Sequence, residues 1–270
     1  MVADSFSSAL GSVIPALLLG ASIYVYSWLV RQIQARESEP PVESSQLYGW
    51  PEAILAAFLC ILFLWLIAKS ISHHEVNLQT RDLILGATIP VGLFLFIASF
   101  LRVRQFDLDA LGGFSRIGFG RVAGFAVLLL LAAYPLIVLA ELLTEKLARG
   151  TLERQEIIEV FSASGTIEQR VVIILLAVSL APLTEEFFFR LFLYGVLKRY
   201  LGRGVGVMIN AFLFAAVHAH LPSFAPLFVL GICLTIAYEW SGSILVSMTM
   251  HALFNALTLM ALAFPEVFSQ

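Results

Sequence analysis

Two adjacent glutamates and an arginine one helical turn further on, Glu185, Glu186 and Arg190, stand in a stretch that is otherwise apolar. Val171 to Leu183 carries no charge, and neither does Leu191 to Leu197. Two more polar pairs follow in apolar surroundings, Phe214 with His218 and His251 with Asn255. The members of each pair are four residues apart, which puts them on one helix face. A charge at the bilayer centre costs about 2.5–3.5 kcal/mol on insertion scales, so ionisable groups there are read as functional. A glutamate held near a histidine can act as general base on water. A His/Asn pair can donate hydrogen bonds to a developing oxyanion. Glu186 and Arg190, at i and i+4, can form an ion pair, which leaves Glu185, about 100° round the helix, free to react. The chemistry these groups fit is hydrolysis of an amide within the membrane or at its edge. Gly-x-Ser-x-Gly and His-Glu-x-x-His motifs are absent, as are Gly-Asp and Tyr-Asp pairs.

The elements that must position these groups are membrane helices. The chain of 270 residues is 60% hydrophobic and 13% charged, against about 25% charged in an ordinary soluble domain. With about 20 apolar residues needed per span, candidate spans are Leu10–Val30, Pro51–Ile71, Leu83–Leu101, Gly120–Leu143, Val171–Tyr200, Val205–Ala219, Ser223–Trp240 and Ser243–Phe264. The expected fold class is all-α, a polytopic membrane helix bundle of about eight transmembrane helices. Val171–Tyr200, interrupted by Pro182, is either one long kinked helix or two short ones. If it is continuous, Arg31, Arg36, Arg102, Arg104, Arg116, Lys198, Arg199 and Arg203 fall on one side of the membrane.

Depth brings the motifs together. At about 1.5 Å per residue, Glu185 lies about 20 Å before Lys198 and His218 about 21 Å after Gly204. On the same measure His251 and Asn255 lie about 14 to 20 Å after Gly242. With a continuous fifth helix all are measured from the same side, so they reach a common depth.

Other features carry less chemistry. His73–His74 at a helix end reads as a solvated cap, and Cys60 and Cys233 as small buried hydrophobes. The polar stretch from Glu145 to Arg170 reads as a connector lying on the membrane surface. The N-terminus has Asp4 and no positive region, so the apolar run after it is expected to stay as a span. A net charge of −3 without a basic arm gives no argument for nucleic acid. The expected organisation is N-terminal membrane helices plus the connector over 1–165, a helical catalytic core over 166–264, and a tail over 265–270.

Glu185-Glu186-x-x-x-Arg190, Phe214-x-x-x-His218 and His251-x-x-x-Asn255 resemble the three motifs of the CPBP family, the CAAX proteases and bacteriocin-processing enzymes also called ABI proteins or type II CAAX endopeptidases. The likeness runs from about Gln169 to Phe264 and includes Pro182, Phe189 and Gly242-Ser243. Leu191 departs from it, standing where the family commonly has Gly. The resemblance implies a glutamate-dependent intramembrane endopeptidase in which Glu185 and His218 activate water. It also implies that His251 and Asn255 form the oxyanion site, with Glu186, Arg190 and Phe214 in support. The implied partners are a membrane-bound protein or peptide substrate, including CAAX-type substrates, and the lipid bilayer. The implied location is a bacterial cytoplasmic membrane.

Three alternatives stand beside this reading. A non-catalytic membrane scaffold or immunity protein would bind a partner without cleaving it. A proton-coupled carrier would relay protons through the same groups, although no repeated half is apparent. A zinc hydrolase would hold its metal with two histidines and a glutamate, but Glu186 is expected to be engaged by Arg190, so a site without metal or cofactor is expected.

Overall fold

The computed structural model describes residues 2–37, 48–70, 80–147, 166–264 and 266, with side chains in the first helix described from Val13 onward. His73–His74 and most of the 145–170 connector lie outside the described residues. Among the described residues every regular element is helical: α1 Val2–Glu37, α2 Trp50–Ser70, α3 Thr80–Val103, α4 Leu108–Gly112, α5 Phe119–Leu147, α6 Ile167–Leu201, α7 Arg203–Ala216, α8 Leu221–Ser241 and α9 Ile244–Ala263. Six of these are long and apolar enough to cross a membrane, and α2 and α7 are shorter apolar helices. The protein is a polytopic helical membrane protein. Leu17, Ile61, Ile89, Leu128 and Leu131 stay about two-thirds exposed on the outside, as a lipid-facing surface requires.

The eight expected spans all appear as helices, and the sequence missed one, α4. Asp107 caps α4, its Oδ1 accepting from Asp109 N at 2.9 Å, and Gly113 closes it at φ 60°. A Cβ at Gly113 would run into the Gly242 carbonyl oxygen, so both the backbone conformation and the close approach demand glycine. This contact and the Tyr238 hydroxyl, which donates to Leu111 O at 2.8 Å, fix α4 on the α8–α9 turn.

The central helix is α5, against which α1, α8 and α9 all pack, while α7 packs on α8 and α3 on α6. One hydrophobic core runs from Leu29 in α1 to Met250 in α9. The α6–α7 end of the bundle gathers charge. Glu239 pairs with Lys198 at 2.6 Å and Arg203 at 3.1 Å, and Arg36 donates to Trp240 O at 2.7 Å.

Two features of the backbone shape the site. The first is that Val171–Tyr200 belongs to one continuous helix, with π-helical turns at Leu176–Leu180 and Phe187–Leu193 on either side of Ala181–Glu186. π-turns often mark functional positions. Positions four apart on an ideal α-helix drift by about 40° per step, and the wider π turn offsets that drift. Glu186, Arg190, Tyr194 and Lys198 therefore stay on one face.

The second feature is that α7 ends at Ala216, earlier than expected, which places His218 in a turn rather than in the helix. Continuing the helix would need an N–H at position 222 to bond His218 O, and Pro222 has none. His220 instead caps α8, its Nδ1 accepting from Ser223 N at 3.3 Å, and Ala219 adopts φ 49°. At about 21 Å, α7 is too short to cross a hydrocarbon core of about 30 Å. Non-helical backbone at such depth is tolerated where protein buries it or where it lines a cavity.

Candidate active site

The two glutamates of α6 have different surroundings. Glu186 is fully buried and its Oε1 lies 2.9 Å from Arg190 Nη1, which is fully buried as well. The same Oε1 lies 3.0 Å from His251 Nδ1. A carboxylate only accepts, so His251 Nδ1 carries the hydrogen of that bond. Glu185 keeps a quarter of its side chain exposed (27%), and its Oε2 lies 4.0 Å from His251 Nε2. His251 thus stands between the two carboxylates. The sequence paired Glu186 with Arg190 alone and Glu185 with His218. In the structure His251 shares Glu186 with Arg190, and it is the imidazole in ion-pairing range of Glu185.

Phe214 explains why an aromatic residue precedes His218 by one turn. Its ring centroid lies 5.1 Å from that of His218 and 5.5 Å from that of His251, both edge-on. Arg190 Cζ sits 4.4 Å above its centre. Its carbonyl accepts from His218 Nδ1 at 2.7 Å. With the hydrogen on Nδ1, a neutral His218 presents Nε2 as a lone pair. One residue therefore orients both imidazoles and covers the guanidinium. Phe214→Leu is expected to destabilise the protein by about 2 kcal/mol through the lost cation–π contact. It should also lower activity by releasing both histidines. Thermal unfolding in detergent and a turnover assay on the same preparation check this.

Asn255 is held from α6. Ala181 N donates to Leu176 O in the π-turn, and the next i→i+5 bond, to Ala177 O, would have to come from Pro182. Proline has no N–H to give, which leaves Ala177 O open. Asn255 Nδ2 donates to it at 2.8 Å. One N–H of the amide is used, and the other is oriented but free.

Behind the site runs a polar network that the sequence reading did not single out. Arg190 Nη2 donates to Gly231 O at 3.4 Å, Thr235 Oγ1 donates to the same oxygen at 2.8 Å, and Asn210 Nδ2 donates to Thr235 Oγ1 at 3.2 Å. Asn210 lies four residues before Phe214, and Thr235 four before Glu239. Extending the four-residue spacing of the motifs along each helix would have found both. At Gly231 a Cβ would lie 3.1 Å from Ala211 Cα, so glycine sets the close approach of α7 and α8. Elsewhere, an apolar groove of about 590 Å³ between α3, α6 and α9 contains none of the motif residues.

Direct contacts therefore join Glu185, Glu186, Arg190, His251 and Phe214. His218 is tied in through Phe214, and Asn255 through the backbone next to the glutamates. Among the described residues, no three His, Cys, Asp or Glu side chains converge as a metal-ligand set.

Residues 167–257 match the family model described as Type II CAAX prenyl endopeptidase Rce1-like, over about a third of the chain. No curated protein and no solved structure matches. The matched segment carries Glu185, Glu186, Arg190, Phe214, His218, His251 and Asn255, and over it this membrane protein is similar to the Rce1-like, CAAX-type endopeptidases.

Proposed function

We propose that the protein is an intramembrane endopeptidase that hydrolyses a peptide bond of a membrane-associated substrate, CAAX-type substrates included, with water activated by Glu185 and His218. The observation that carries this reading is the division of labour between the two glutamates. Glu186 is buried with its Oε1 in ion-pair contact with both Arg190 and His251, and Glu185 is left partly exposed beside His251. In this mechanism Glu185 takes a proton from water and His218 Nε2 accepts a second hydrogen bond from it. The hydroxide attacks the scissile carbonyl. His251, from Nε2 as imidazolium, and the free N–H of Asn255 donate to the oxyanion. Glu186 and Arg190 hold His251 in place. The proton returns from Glu185 to the leaving amine. No metal takes part, and a zinc site is the alternative that metal analysis of the purified protein decides. The partners on this reading are the bilayer and a membrane-bound protein or peptide, in a bacterial cytoplasmic membrane, with no nucleic acid.

The test is cleavage of membrane-anchored peptides by the full chain in proteoliposomes, comparing peptides ending in a prenylated CAAX sequence with the same peptides lacking the prenyl group. Release of the terminal tripeptide from the prenylated peptide supports the reading with its CAAX substrate class. Cleavage regardless of prenylation keeps the endopeptidase and removes that substrate class. Binding without cleavage of either supports the scaffold alternative.

A further inference from the structure

Among the described residues, seven buried side-chain atoms lack a well-aligned protein hydrogen bond: Glu185 Oε2, Glu186 Oε2, Arg190 Nε and Nη1, Tyr194 Oη, Asn210 Oδ1 and Ser243 Oγ. Of these residues, Tyr194 faces Glu239 and Arg203, and Glu186 faces Ser247. Arg190 Nη1 is close to Glu186 but not aligned with it for a hydrogen bond. Apart from Glu185, all lie on polar rows of four-residue step. These rows are Glu186, Arg190, Tyr194 and Lys198 on α6; Asn210, Phe214 and His218 leading out of α7; Gly231, Thr235 and Glu239 on α8; and Ser243 at the N-cap of α9 followed by Ser247, His251 and Asn255 on it.

The rows meet in layers. A Cβ at Gly206 would lie 3.1 Å from Lys198 N, and Arg190 stacks on Phe214. The antiparallel register between those two contacts puts Tyr194 opposite Asn210, which in turn bonds Thr235. On α9, stepping back by fours from His251, which bonds Glu186, brings Ser243 to the level of Tyr194. Tyr194, Asn210 and Ser243 thus stand at one level of the bundle, each at most 1% exposed. Asn210 Oδ1 and Ser243 Oγ have no protein partner there, and the Tyr194 hydroxyl faces Glu239 and Arg203 toward the outer end.

At the outer end, Lys198 and Glu239 line a polar pocket of about 200 Å³ together with Arg116, Tyr238 and Gly242. At the inner end stand Glu186, Arg190 and His251. Buried polar atoms without protein partners are met by ordered water. The layers are one helical turn apart, about 5.4 Å, which two hydrogen bonds of about 2.7–2.8 Å through one water span.

We propose that this column binds a file of ordered water leading from the Lys198–Glu239 pocket to Glu186 and Arg190. Its role as the water supply of the site rests on the hydrolase reading: each cleavage consumes one water, whose oxygen joins the acyl carbon while a proton goes to the leaving amine. Glu185 is the exposed end of the site, and the column reaches the site from its buried end.

The test is hydroxyl-radical labelling by X-ray radiolysis of the full chain in nanodiscs, read residue by residue by mass spectrometry. Bound water is the probe, since the radicals form from it in place. Tyr194 is 1% exposed and Phe192 0%. Tyr194 is expected to label several-fold faster than Phe192, and Asn210→Leu, which puts an apolar group in the layer, should bring it down to the Phe192 rate. If Asn210→Leu does not fold, Thr235→Val keeps the shape and should give the same fall. Tyr194 labelling no faster than Phe192, or labelling unchanged in the folded variant, would overturn the proposal. Labelling does not depend on turnover. A dry column leaves the hydrolase reading standing, and an inactive protein with a labelled Tyr194 leaves the column standing.

Discussion

Arg190→Ala should cost the protein about 3–5 kcal/mol of stability, the penalty typical of breaking a buried ion pair by removing one partner. The reason is local. Arg190 and Glu186 are both fully buried, 2.9 Å apart on one helix face. Removing the guanidinium leaves the Glu186 carboxylate, deep in a helical bundle, with only His251 and Ser247 facing it among the described side chains. The ring of Phe214 loses its cation, and Gly231 O loses a donor. Arginine keeps its proton in a protein, so it serves neither as base nor as acid here. Thermal unfolding in detergent and the yield of monodisperse protein should both fall, and Glu186→Gln should act in the same direction. An Arg190→Ala protein as stable as wild type yet inactive would refute the structural role and place Arg190 in contact with substrate.

Glu185→Gln should leave the fold intact and lower activity by about 10²–10⁴-fold, the usual contribution of a general base. The carboxamide has nearly the same shape but cannot take a proton at neutral pH. The structure gives Glu185 little to lose on folding, since its side chain is 27% exposed and its ion contact, with His251, is at 4.0 Å. A stability change within about 0.5 kcal/mol is expected, as for surface substitutions. The two variants therefore separate the neighbouring glutamates: stability for the one paired with Arg190, chemistry for the other. Equal loss of stability in both would contradict that separation.

Much of this was legible in the sequence because a membrane span admits few polar groups, and each one present needs a reason. The i,i+4 spacing was enough to expect the Glu186–Arg190 pair, and apolar length was enough to find the spans. What could not be read was where helices depart from ideal geometry. The two π-turns of α6 leave no mark in composition, although they decide which carbonyl Asn255 meets. The end of α7 at Ala216 depends on Pro222 and the His220 cap beyond it, which an apolar window to Ala219 does not register. The pairing of His251 with both glutamates depends on the register of α9 against α6, a tertiary fact. Asn210 and Thr235, single polar residues in apolar helices, carried too weak a signal alone; it is Gly231 O, shared with Arg190, that joins them to the site.

The central claim is that this protein cuts peptide bonds in membrane proteins with Glu185 as the base. The most direct measurement compares the C-terminal peptides of the whole membrane proteome between cells expressing the wild-type chain and cells expressing Glu185→Gln at equal level, by quantitative mass spectrometry. The account predicts new C-termini of membrane-associated proteins in the wild-type cells that are missing with Glu185→Gln. Identical sets of C-termini in the two would contradict it.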